Sequence, residues 1–148
     1  MIVTAQPFPL PRKLPARLAT VLRYWKTLIR AENAMPFSDD VNPSSLEKLS
    51  AHLLLIDVFS APQRFRFNHL GKNVIAKLGT SPTGQFADEL KLAEPLNYVI
   101  AQASATVESG APTLYCSMRK KTPRSGYSRI LLPAWGNGRV DLLIGAIT

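Results

Sequence analysis

Asp57 is the first residue in this chain whose type and setting could do chemistry, because it interrupts an otherwise apolar run from Leu53 to Phe59. A carboxylate buried without a partner is costly, so Asp57 requires Arg64, Arg66 or backbone donors beside it. One reading is an ion pair across a hairpin. The other is a general base in the pocket of a cone-shaped, isomerase-like enzyme, for which no second acid or histidine presents itself. His52 and His69 are the only histidines and Cys116 the only cysteine, and no pair among them has the spacing of metal ligands. Neither a P-loop nor a dinucleotide-binding glycine pattern is present, and Gly136-Asn137-Gly138 reads as a turn. These residues predict no enzyme and no metal site.

Binding is better supported. Apolar pockets with a few directed polar groups are the usual form of small-ligand sites. Here the inward candidates are Phe67, Ile75, Leu78, Leu96, Ile100, Cys116 and Leu131, with Tyr98, Tyr115 and Arg129 as polar contacts. An inward arginine on a sheet would suit an anionic ligand. The same side chains would also fill a core at normal density, and both readings stay open.

Charge narrows the partners. The chain carries a net charge of +8, and its basic residues are concentrated. Arg12, Lys13, Arg17, Arg23, Lys26 and Arg30 lie in the first 30 residues with no acid among them. Arg119, Lys120, Lys121, Arg124 and Arg129 form a second acid-free cluster. Such segments are either solvated surface or a footprint for nucleic acid, an anionic surface or an acidic protein. The longest apolar runs, Leu53 to Ile56 and Leu142 to Ile147, are too short to span a bilayer. One cysteine and no secretory n- and h-region imply a reducing, cytoplasmic setting.

The elements that must position these residues follow from periodicity. Residues 1–15 form a proline-rich arm, 16–52 two N-terminal helices, and 53–148 the core. Leu18, Val21, Leu22, Trp25, Leu28 and Ile29 make one stripe on a helix from Ala16 to about Asn33. That stripe covers either the chain's own sheet or a second copy, and Leu18, Leu22, Trp25 and Ile29 are the candidate homodimer interface. Asn42-Pro43 starts a second helix to about His52. Leu53 to Phe59 and Arg64 to Leu70 read as an antiparallel hairpin. Gly71 to Gly79 reads as a short helix, Phe86 to Leu90 as a helical turn, and Pro95 to Ser109 as a longer helix. Thr113 to Arg119, Tyr127 to Pro133 and Val140 to Ile147 complete the chain as strands. The last is apolar on both faces, which predicts a central strand.

This order resembles a family of short, stand-alone bacterial PAS-like proteins. The residues that carry the resemblance are Tyr24-Trp25, Asn42-Pro43 with Leu46, Phe65-Arg66-Phe67, Leu70-Gly71, Leu78-Gly79, Thr83-Gly84, Pro112 and Leu131-Leu132-Pro133. It implies an α+β fold: a PAS-like five-stranded antiparallel sheet with helices over one face and a small cavity between, preceded by amphipathic helices. It also implies a sensory or protein-interaction module that signals through a partner or through self-association. No cofactor is predicted. Heme is disfavoured because Pro95 to Ser109 lacks histidine, and flavin because Leu70 to Leu90 lacks cysteine.

Overall fold

A computed structural model describes residues 8–117 and 126–148. Strands β1 (Leu53–Phe59), β2 (Arg64–Leu70), β3 (Thr113–Ser117), β4 (Tyr127–Gly136) and β5 (Arg139–Ile147) form one sheet in the order β2-β1-β5-β4-β3. All neighbouring pairs are antiparallel, and β5 lies at the centre as its two-sided apolar sequence predicts. Asn137 and Gly138 take φ of 54° and 76°, the left-handed pair that a tight hairpin between β4 and β5 requires.

The connection from β2 to β3 crosses the sheet. It contains α2 (Lys72–Leu78), a single 3-10 turn (Ala87–Glu89) and α3 (Val99–Ser109). Gly79, at φ 79°, closes α2 in the left-handed conformation expected of its cap. Leu54, Ile56, Phe67, Leu131 and Leu143 face this layer and pack with Val74, Leu96 and Val99.

The opposite face is not open. Alternate residues of the same strands, Leu53, Leu55, Ile130, Leu132 and Ile144, pack against Leu18, Val21 and Trp25 of α1 (Ala16–Leu28). Helices therefore cover both faces, and of the two surfaces open to the α1 stripe it is the chain's own sheet that it covers. Two boundaries and one helix type also differ. Helix α1 stops at Leu28, five residues before the expected end, because Ile29 turns extended at ψ 124°. The segment Pro43–His52 is 3-10, broken at Leu46, although Asn42 caps it by accepting from Ser44 N at 3.1 Å. Helix α3 starts at Val99, not Pro95, because Tyr98 adopts φ 63°.

Each sheet edge is met by a neighbouring segment, which blunts it as a strand template. Leu114 N on β3 donates to Phe8 O of the N-terminal arm at 3.1 Å. On β2, Phe67 N donates to Gln85 O at 3.0 Å, and Gly84 N donates to Phe67 O at 2.7 Å. No helix among the described residues is long and apolar enough to cross a membrane.

Candidate functional site

Strand alternation places Arg129 and Leu131 on the α3 side of β4, with Ile130 and Leu132 on the α1 side. Arg129 is fully buried. Its Nε donates to Gln102 Oε1 at 2.8 Å, Nη1 to Pro95 O at 2.8 Å, and Nη2 to Asn97 O at 3.0 Å. Its guanidinium carbon lies 4.9 Å from the centre of the Tyr115 ring, within cation–π range. Burial lowers the Arg129 pKa to about 10, which leaves the group cationic at neutral pH.

Gln102 and Thr106 stand four residues apart, on one face of α3. Gln102 Nε2 donates to the Arg129 carbonyl at 3.0 Å and to Thr113 Oγ1 at 3.1 Å. Thr106 Oγ1 donates to Gln102 O at 2.8 Å and lies 2.7 Å from Thr113 Oγ1. Buried polar groups that satisfy one another hold a packed interface in a single arrangement. Here they fasten α3 and its entry loop to β3 and β4. Tyr127 adds a bond from its hydroxyl to Asn97 Oδ1, and burial raises its pKa to about 12. The pinned loop presents Tyr98 outward, 66% exposed, with its ring 5.8 Å from Tyr115.

Beside this network, the end of α2 and the loop before α3 enclose a cavity of about 90 Å³ lined by Leu78, Pro82, Leu90, Leu96 and Lys91. Of the ten pocket candidates, Phe67, Leu96, Leu131 and Arg129 are fully buried on this side of the sheet. Ile75, Leu78 and Tyr115 pack against that core in partly buried positions. The other three lie elsewhere. Tyr98 is turned out by its left-handed backbone, Ile100 is on the solvent side of α3, and Cys116 is exposed on the edge strand. Gln102, Thr106 and Thr113 were not expected. Their only signal was Gln102 four residues before Thr106 in an otherwise apolar stripe.

The structure chooses between the readings left open for the α1 stripe and for Asp57. Leu18 and Trp25 of the candidate dimer stripe are buried against the chain's own sheet, and Leu22 and Ile29 pack partly buried beside them. Trp25 Nε1 donates to Pro133 O at 2.7 Å, which fixes the stripe as core. Asp57 lies opposite Arg66 in the β1–β2 register, with Oδ2 3.0 Å from Arg66 Nη2, and Asn68 Nδ2 donates to Oδ1 at 3.1 Å. This is the ion pair across the hairpin, on the face away from the cavity, and it takes Asp57 out of any pocket. Of the second basic cluster, Arg119, Lys120, Lys121 and Arg124 lie outside the described residues, and Arg129 is not surface charge.

The fold and this site define an α+β domain of PAS-like architecture. No protein-family model matches the chain, and no curated protein does. Solved structures similar to it include the light-state blue-light photoreceptor Aureochrome1 LOV domain. That likeness has 13% identity, covers 71% of this chain and 85% of that one, and has a TM-score of 0.44. A light-oxygen-voltage domain studied with a flavin analogue matches at 18% identity, 71% and 81% coverage and a TM-score of 0.44. An RNA-binding light-oxygen-voltage receptor matches at 17% identity and a TM-score of 0.43, covering 82% of this chain and 36% of the receptor.

The expectation that flavin is disfavoured is corrected by these likenesses. They are light-oxygen-voltage domains, one of them studied with a flavin analogue.

Proposed function

We propose that the chain is a non-catalytic sensory module in which β4 links a ligand-responsive layer on one face of the sheet to an output helix on the other. The observation that carries this reading is on β4 itself. The Arg129 side chain holds the α3 entry loop, and four residues on, the Pro133 carbonyl holds Trp25 of α1. A small ligand with an apolar body would enter between Leu78 and Leu96, with Lys91 available for an anionic group. Binding would favour one arrangement of the Arg129 network, and a ligand shifts such an equilibrium only by its differential affinity for the two states.

In this reading residues 53–148 sense, residues 16–52 report, and the N-terminal arm meets the sheet edge through Phe8. The signal passes to a protein partner that reads α1, in a cytoplasmic setting. The exposed bases Arg23 and Lys26 on α1 suit an acidic partner surface.

Native mass spectrometry of freshly purified chain, equilibrated with metabolite pools, tests the proposal. The expected result is a retained small molecule that Leu78→Trp, which fills the cavity, excludes. A chain that retains nothing from any pool and captures no protein would count decisively against it.

A further inference from the structure

The ladder between β1 and β5 ends at the pair Asp57–Leu142, although β1 runs on to Phe59 and β5 begins at Arg139. On its other side β5 carries a bulge, with Ala134 paired to Leu142 and Trp135 to Val140. The bulge reverses the alternation, so that Leu142 packs on the α1 side and Val140 on the α3 side. Where β1 and β5 part, a recess of about 280 Å³ opens between the end of β1, the β4–β5 hairpin and α3. Val58, Val107 and Val140, with Phe59 and Trp135, make its wall largely apolar. Arg139 is the one charged residue among the described residues that line it.

The other arginines of the sheet are answered. Arg64 and Arg66 each face a carboxylate, and Arg129 uses Nε, Nη1 and Nη2 on its own partners. Arg139 is not. Among the described residues it joins no ion pair, and its hydrogen bonds all run from Nη1, to Val58 O at 2.5 Å and Val140 O at 3.2 Å. Nη1 thereby bridges the parted strands and fixes a partly buried guanidinium, while the fork of Nε and Nη2 is left for another acceptor. We propose that this recess binds a small aromatic carboxylate, with the carboxylate on the Arg139 fork and the ring between the valines and Trp135. Arginine and carboxylate match as two parallel hydrogen bonds, which a lone oxygen acceptor does not reproduce. The apolar wall favours a ring and disfavours a strongly hydrated inorganic anion, which would lose its water there without return. A cavity of roughly 150 Å³ accepts benzene, so this space has room for a ring and its carboxylate. The recess is separate from the cavity between Leu78 and Leu96, and the inference stands without the coupling proposed above.

Isothermal titration calorimetry of the full chain with benzoate tests it. Wild type should bind with a dissociation constant below about 1 mM, while benzamide and inorganic phosphate should not bind over the same range. Arg139→Lys keeps a donor for Val58 O but loses the planar fork, and should weaken benzoate by about tenfold or more. Val107→Phe fills the recess with Arg139 left in place and should abolish binding. Leu78→Trp, in the other cavity, should leave benzoate affinity unchanged. A wild type that does not bind benzoate overturns the proposal, as does benzamide or phosphate binding as tightly as benzoate. So does benzoate affinity that is unchanged in Arg139→Lys, survives Val107→Phe, or is lost in folded Leu78→Trp.

Discussion

Arg129 and Gln102 bind each other reciprocally: the Arg129 Nε donates to the Gln102 side-chain oxygen at 2.8 Å, and the Gln102 amide donates to the Arg129 carbonyl at 3.0 Å. One residue belongs to the sheet and the other to α3. Neither can leave without stranding a buried group of its partner, and that mutual dependence locks α3 to the sheet.

Arg129→Met should therefore be costly. It strands Pro95 O, Asn97 O and Gln102 Oε1 in a dry interior, and the expected loss is about 2–4 kcal/mol. Arg129→Lys should recover only part of this, because an ammonium lacks the planar fork that reaches all three acceptors. Urea unfolding at unchanged m-value would measure both. Equal stability of Arg129→Met and wild type would remove the network from the account.

Trp25 separates core from interface. Trp25→Ala should cost about 3–5 kcal/mol as a buried aromatic truncation, at every protein concentration. Trp25→Phe, which mainly loses the bond to Pro133 O, should cost about 1–2 kcal/mol. A destabilisation that vanished on dilution would instead mark α1 as a contact between copies.

Asp57→Asn should leave the fold intact and change stability by about 1 kcal/mol or less, because the ion pair with Arg66 is partly open to solvent. Thermal melting at low and high salt would check this. A loss several times larger would mean that Asp57 carries more than the hairpin.

His52 gives a pH dependence with a defined sign. Its ring nitrogen Nε2 lies 3.1 Å from Asn73 Nδ2, and partial burial, Arg17 and Lys77 all lower its pKa from 6.5. The unfolded chain then binds the proton more readily than the folded one. Stability from this group is complete above about pH 6.5 and falls as pH drops through the depressed folded value. His52→Gln should flatten that portion of the stability–pH curve. A slope unchanged in the variant would assign it to other groups.

How far the sequence could be read depended on whether a feature was periodic. Strands β1 and β2 match their expected bounds, because an apolar alternation closed by Pro62 on one side and Gly71 on the other leaves few registers open. The central place of β5 follows from its lack of a polar face. The start of α3 was not legible, since its late onset follows from Tyr98 taking a left-handed conformation that side-chain periodicity does not encode. Arg129 was legible as a candidate pocket residue whose face stayed open, and its partners were not legible, because two are backbone carbonyls that any residue could supply. The α1 stripe was legible as apolar, while the surface it covers is a tertiary fact.

The central claim is that β4 couples the Arg129–Gln102 lock to α1, and native-state hydrogen exchange of Gln102→Leu tests it most directly. The account predicts faster exchange in α1, between Ala16 and Leu28, and at the Trp25 indole, with the β1–β2 hairpin unchanged. Loosening confined to α3 and β3, with α1 protected as in wild type, would contradict it.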